Sequence, residues 1–148
     1  MADLIIKGIL GILLLATSLQ DMRTKKISLW IIAVGAVLIC AAAPFSHGVS
    51  VADRAIGTLV GIGILITSKA TGGKIGLGDG YLLCVTGITL GFWGNMELFA
   101  IALFAAAIVS IFLLAFRLAD RKKSIPFIPF LFLAYLVHLI STKAWVMI

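Results

Sequence analysis

The chain of 148 residues carries only six acidic side chains, and two of them stand where chemistry is most plausible. Asp21 follows the first apolar stretch of the chain, and Asp79 immediately precedes another. An ionisable side chain at the edge of a membrane segment is costly and is usually kept for function. Two carboxyl groups held close together share one proton, so one can activate a water while the other protonates a carbonyl oxygen. Asp21 and Asp79 are therefore the predicted catalytic pair, and the predicted reaction is peptide-bond hydrolysis.

Asp79 lies in a stretch that is unusually rich in glycine. Residues 72–80 read GGKIGLGDG and contain five glycines. A backbone with so few side chains admits a second extended chain, which it can hold through main-chain hydrogen bonds. Gly76, Gly78 and Gly80 are therefore predicted to bind substrate. Two alternatives remain at this point: a phosphate-binding loop, although the GxxxxGK[ST] pattern is absent, and a simple helix cap at Asp79.

The composition indicates which class of protein carries these residues. Hydrophobic residues make up 62% of the chain and charged residues 12%, and the mean hydropathy is +1.22. Soluble domains carry roughly 25% charged residues, so an ordinary soluble enzyme, a disordered tail and a disulfide scaffold are excluded. Cys40 and Cys84 lie in apolar runs without a CxxC pair, and no metal site is predicted.

Charged residues divide the sequence into six apolar segments, most of them near the roughly 20 residues that cross a bilayer. The predicted fold is an all-α membrane protein, a polytopic bundle of six transmembrane helices forming a single domain of residues 1–148. The predicted spans are about 4–20, 28–43, 55–70, 80–96, 98–116 and 124–142. Gly57 and Gly61, like Gly87 and Gly91, have the spacing that lets two helices pack closely in lipid. Missing side chains at Gly57, Gly61 and Gly63 also suggest space for lateral access of a substrate.

The basic residues indicate the orientation of this bundle. Nine of the twelve lie on one predicted side: Arg23, Lys25, Lys26, Lys69, Lys74, Arg117, Arg121, Lys122 and Lys123. Such an excess marks the cytoplasmic side of the cell (inner) membrane. Both termini are therefore predicted on the outer side of this membrane, and Asp21 and Asp79 at its cytoplasmic face. The net charge of +6 therefore reflects the membrane orientation, and the basic residues are also expected to contact anionic lipid headgroups. No nucleic-acid partner is predicted.

The other ionisable residues are predicted to have structural roles. Asp3, Asp53 and Glu97 fall at span edges on the outer side and are expected to be solvated interface charges. Asp120 stands among basic residues and is expected to form a surface ion pair. His138 is expected to be a hydrogen-bonded packing residue, because a single histidine in a helical span rarely serves as a metal ligand.

Three stretches together resemble a known family. They are Asp21-x-Arg23-x-x-Lys26-Ile27, Gly76-x-Gly78-Asp79 and Ile125-Pro126-Phe127-Ile128-Pro129-Phe130. The first two resemble the aspartate motifs of the prepilin peptidases, or type IV leader peptidases, which are intramembrane aspartyl proteases of the GxGD class. The third resembles the proline-rich start of that family's last helix.

The resemblance implies that Asp21 and Asp79 are the catalytic aspartates and that no cofactor is needed. It implies substrates that are single-span prepilins or pseudopilins, cut at the cytoplasmic side after a short basic leader. Arg23, Lys26 and Lys74 are added to the glycines as predicted substrate-binding residues. The cysteine-bearing insert of the methylating members is absent, so the chain resembles the short, peptidase-only form.

Two positions depart from the family pattern, and two other functions remain open. Ser28 follows Ile27 where the family usually has proline, and Tyr81 stands where it usually has lysine. One alternative function is a small proton- or cation-coupled transporter, in which the two aspartates would relay protons or bind a cation. The other is a catalytically inactive assembly partner of a pilus or secretion system.

Overall fold

A computed structural model describes residues 2–24, 27–72, 76–116 and 126–146. Of residues 143–146 it describes the backbone alone. Within these ranges the chain forms helices joined by short connections, and no strand is present. The helices are α1 (Ala2–Thr24), α2 (Leu29–Ala42), α3 (Val51–Ala70), α4 (Leu77–Ala115) and α5 (Ile128–Val146), with a 3-10 turn at Ala43–Phe45. The predicted all-α class is confirmed.

The helices are apolar and leave much of their apolar surface uncovered. α1, α3 and α4 are each long and apolar enough to cross a membrane, whereas α2 and α5 contain shorter apolar stretches. Large side chains such as Val37, Phe104 and Ile140 are exposed on their outer faces. Contiguous apolar surface of this kind is rare on proteins that live in water, so it indicates a membrane protein.

α4 is interrupted at Gly91, where the backbone has φ 73° and ψ −172°. Beyond this residue Asn95 Nδ2 donates a hydrogen bond to Leu83 O at 3.0 Å. A straight helix would separate two residues twelve positions apart by about 18 Å, so the chain reverses its direction at Gly91. Residues 77–90 and 92–115 are therefore two limbs of a helical hairpin. The predicted boundary between the fourth and fifth segments, at residue 97, is corrected to Gly91.

Asn95 is fully buried and holds this hairpin against α3. Besides Leu83, its Nδ2 donates to Gly57 O at 2.9 Å, and its Oδ1 accepts from Thr86 Oγ1 at 2.6 Å. A fully satisfied polar network in an apolar interior fixes one arrangement of the helices, because breaking any bond leaves a buried polar group unpaired.

Glycines allow α3 and the first limb of α4 to approach until their backbones touch. A Cβ on Gly57 would stand 2.7 Å from Gly91 C and 2.8 Å from Gly87 O, and one on Gly61 would meet Cys84 and stand 2.7 Å from Gly80 O. The predicted close packing is confirmed. The suggested space for lateral access is wrong at Gly57 and Gly61, because α4 fills it, whereas nothing lies within 4 Å of a Cβ on Gly63.

The end of the bundle that carries Gly91 is tied together by Arg54, which is buried. Its guanidinium donates to Ile88 O at 2.6 Å, to Val49 O at 3.2 Å and to Ser46 Oγ at 2.9 Å. These acceptors belong to α4 and to the connection before α3. A buried cation needs such partners, so Arg54 joins the two segments as a structural residue.

Two acids at the same end, which were predicted to be solvated charges, also accept hydrogen bonds from the backbone. Asp53 Oδ1 accepts the Phe92 N–H at 3.1 Å, immediately after the reversal at Gly91. Asp3 accepts hydrogen bonds from the Ser46 hydroxyl and from Gly48 N. Asp53 therefore supplies the partner that the first amide of the second limb lacks within its own helix.

α5 packs against α1 and α4 through two polar contacts. Tyr135 Oη donates to Lys7 O at 2.6 Å, and His138 Nδ1 lies 3.0 Å from Glu97 Oε2. The prediction that His138 is a hydrogen-bonded packing residue agrees with this contact, and Glu97 is its partner.

We expect Gly87→Ala to lower the free energy of unfolding by about 1–3 kcal/mol, because a Cβ there would overlap the backbone of Gly57. Gly63→Ala is the matched control, since it adds the same methyl group in open space. Thermal unfolding of both purified variants in detergent measures the difference. Equal stability of the two variants would contradict the backbone contact.

Candidate active site

Asp21 lies in the last turn of α1, with its side chain only 7% exposed. Its Oδ2 accepts the N–H of Ile128, the first residue of α5, at 3.3 Å. The first amides of a helix have no partner within that helix, and Pro129 has no N–H to offer. Asp21 therefore anchors the start of α5 to the end of α1.

Asp79 lies in the first turn of α4, three residues after the N-cap Gly76. Its backbone N–H donates to Gly76 O at 3.2 Å, and its carboxyl group is partly buried. This carboxyl lies within electrostatic range of Asp21. The structure thus places the two predicted catalytic side chains at the same end of the bundle, which we call the aspartate end.

The three glycines around Asp79 each have a different neighbour. A Cβ on Gly76 would stand 2.8 Å from Asp79 Oδ2, so the first glycine leaves room for the carboxyl group itself. A Cβ on Gly78 would overlap the side chain of Ile27, and one on Gly80 would stand 2.7 Å from Leu65 Cδ2. Gly76 therefore leaves room for the Asp79 carboxyl group, Gly78 for the α1–α2 connection and Gly80 for α3.

The predicted role of these glycines in substrate binding changes accordingly. Gly78 and Gly80 are buried and lie within α4, so their faces are occupied by packing and their backbone belongs to a helix. Gly76 is exposed and precedes the helix, so it alone of the three is open to a second chain.

The structure describes one of the three basic residues that are predicted to bind substrate. Arg23 is exposed in the last turn of α1, two residues beyond Asp21. Lys26 and Lys74 lie outside the described residues, as does Asp120. Tyr81 is exposed in the second turn of α4.

Ser28 retains the geometry of the proline that the family pattern would place there. Its φ of −72° falls within the range of proline, and it caps the N-terminus of α2. Its N–H, which a proline would lack, donates to Gln20 Oε1 at 3.1 Å. Gln20 thus compensates for this departure and ties the start of α2 to α1.

Comparison with protein families bears on this site directly. The model of the type IV leader peptidase family matches residues 8–111, more than two thirds of the chain. The chain belongs to the type IV leader peptidase family. Both Asp21 and Asp79 lie in the matched range, whereas the proline-rich start of α5 lies beyond it. Comparisons with curated proteins and with solved structures found no match. Membership of this leader peptidase family implies a peptidase, and the apolar helices accord with a membrane location.

Sequence reasoning missed several residues that hold the candidate site together. Ile27 was noted only as part of a motif, and Leu65 and the Ile128 amide were not considered. The motif itself was the available signal for Ile27. No sequence pattern identifies Leu65, because its contact with Gly80 exists only after α3 and α4 have packed.

We expect Asp21→Ala to be less stable than Asp21→Asn by about 1–3 kcal/mol. Both variants remove the charge, but asparagine keeps an oxygen that can accept the Ile128 N–H. Thermal unfolding in detergent, with hydrogen exchange at the Ile128 amide, measures the difference. Arg23→Ala is the control at an exposed neighbouring position. Equal protection of the Ile128 amide in both Asp21 variants would refute the anchoring role.

Proposed function

We propose that this protein is an intramembrane aspartic endopeptidase that removes the short basic leader from type IV prepilins or pilin-like (pseudopilin) precursors. The proposal is supported by the placement of Asp21 and Asp79, from distant parts of the chain, within electrostatic range of each other in a protein of the type IV leader peptidase family. A family match alone supports a peptidase, and the carboxyl pair supplies the chemistry.

In the proposed reaction one carboxylate removes a proton from a water molecule, whose oxygen attacks the scissile carbonyl carbon. The other carboxyl group donates its proton to the carbonyl oxygen. The resulting tetrahedral intermediate collapses with cleavage of the C–N bond. The carboxyl group that took the proton from water passes it to the amine nitrogen, and a hydroxyl of the intermediate returns a proton to the other carboxylate. No cofactor enters this sequence, since the two acids and a water suffice. The pair is best described by joint titration, because the proton belongs to both groups.

The proposed membrane arrangement has six crossings, made by residues 2–24, 29–42, 51–70, 77–90, 92–115 and 128–146. It places the aspartate end in the cytoplasm and both termini outside. The basic residues near the aspartate end support this orientation, since cytoplasmic loops carry an excess of lysine and arginine. Trp30 and Trp93, which are 80% and 78% exposed, lie near opposite ends of the bundle, where an amphipathic ring suits the membrane interface.

This arrangement suits a single-span substrate whose basic leader stays in the cytoplasm. The apolar segment of such a substrate lies in the bilayer, so the bond between leader and segment reaches the aspartate end. The exposed Gly76, directly before α4, offers backbone groups to the unwound substrate chain. Arg23, Lys26 and Lys74 remain proposed contacts at the same end.

We expect Asp21→Asn and Asp79→Asn each to lower leader removal by at least about 100-fold, because general acid–base catalysis of this kind contributes roughly 10²–10⁴-fold. Co-expression with a prepilin, followed by electrophoresis of the pilin band, measures cleavage. Glu97→Gln is the matched control, since it makes the same acid-to-amide change beside His138, away from the aspartate end.

Cleavage that survives both aspartate substitutions would sink the proposed mechanism. A folded wild-type protein that cleaves no prepilin but is still required for pilus assembly would favour an inactive assembly partner. Proton flux through proteoliposomes that both substitutions abolish would instead favour the transporter.

The orientation predicts the labelling of two cysteine variants in a background lacking Cys40 and Cys84. Val51, exposed at the start of α3, lies at the proposed outer face, and Thr71, exposed at the end of α3, at the cytoplasmic face. In right-side-out vesicles a membrane-impermeant maleimide should label Val51→Cys directly and Thr71→Cys only after permeabilisation. The reverse pattern would invert the topology.

A further inference from the structure

Ile27 lies in the connection between α1 and α2, with its side chain against the first turn of α4. A Cβ added to Gly78 would overlap Ile27 Cδ1 and would stand 3.2 Å from Ile27 Cβ and Cγ1. The isoleucine therefore rests on the bare backbone of Gly78, next to Asp79. A partly buried aliphatic side chain in this position fills space that any other residue at 78 would occupy.

This contact joins α4, which carries Asp79, to the connection that follows α1, which carries Asp21. α1 and α4 make few direct contacts with each other, in contrast to the extensive interface between α3 and α4. The α3 side of the Asp79 turn is fixed by Leu65 against Gly80, and Asp21 is fixed to α5 through Ile128. The seating of Ile27 on Gly78 adds a direct contact between the Asp79 turn and the connection that follows α1.

We propose that Ile27 is a positioning residue for the aspartate pair, and that glycine occupies position 78 in order to admit it. Through this contact the Asp79 turn is held at a fixed separation from the last turn of α1. The effect of Ile27 on cleavage rests on the proposed function, whereas its effect on the geometry of the pair does not.

The proposal is tested by adding a methyl group on one side of the contact and removing one on the other side. Gly78→Ala adds a methyl where Ile27 Cδ1 lies, and Ile27→Val removes that Cδ1. Gly78→Ala should lower the kcat of leader cleavage by about 100-fold with little change in KM, since misplacing a reacting group by about 1 Å has effects of that order. The double variant Ile27→Val with Gly78→Ala should recover at least about tenfold of that loss, because the valine leaves room for the new Cβ.

The control is Gly80→Ala, whose Cβ would meet Leu65 rather than Ile27. Ile27→Val should not rescue Gly80→Ala, so the rescue must be specific to position 78. Gly8→Ala, which adds a methyl in open space on α1, should keep wild-type kcat. Thermal unfolding of each variant in detergent accompanies the kinetics and shows that the protein compared is folded.

A second readout does not depend on cleavage. In a background lacking Cys40 and Cys84, a disulfide between Asp21→Cys and Asp79→Cys reports the separation of the two positions. Gly78→Ala should slow its formation, and adding Ile27→Val should restore it. The proposal is overturned if Gly78→Ala leaves both readouts unchanged, if Ile27→Val rescues neither, or if it rescues Gly80→Ala equally. If the wild type cleaves no prepilin but disulfide formation changes in the variants as expected, the proposed function is refuted and the positioning role of Ile27 stands.

Discussion

Two carboxyl groups within electrostatic range of each other repel when both are ionised, and low-dielectric surroundings strengthen that repulsion. The approach of Asp21 and Asp79 therefore has to be maintained by the packing of the helices that carry them. Each aspartate is held by a different neighbour. Asp21 Oδ2 accepts the first amide of α5, and Asp79 lies on a turn that Ile27 and Leu65 contact from two sides.

The packing that holds Asp79 is continuous with the packing that forms the bundle. In lipid, burial of apolar surface does not drive helices together, so van der Waals contact and hydrogen bonds must do so. α3 meets the first limb of α4 along one line of glycines, from Gly80 at the aspartate end to Gly91 at the other. Asn95 and Asp53 then fix the second limb after the reversal.

Hydropathy and charge were sufficient to predict helices and a membrane location. They could not predict the reversal at Gly91, because the apolar pattern continues through it and only the positive φ marks the turn. They also misjudged Asp53, whose acceptor role depends on an amide 39 residues further along the chain. The neighbours of Gly78 and Gly80 were equally out of reach, since they come from other helices. The aspartate pair was easier to predict because its motifs are local in the sequence.

The glycine-rich stretch illustrates the difference between flexibility and fit. Its composition predicted a loop that would hold a substrate, yet α4 begins at Leu77, so Gly78 and Gly80 are helical. Glycine inside a helix is less favourable than alanine by roughly 0.5–1 kcal/mol, so its presence at positions 78 and 80 is explained by close packing. Here Ile27 and Leu65 occupy the space that alanine would fill. Asp79 consequently stands on a packed helical turn, and a reacting group on a rigid element keeps its geometry better than one on a mobile loop.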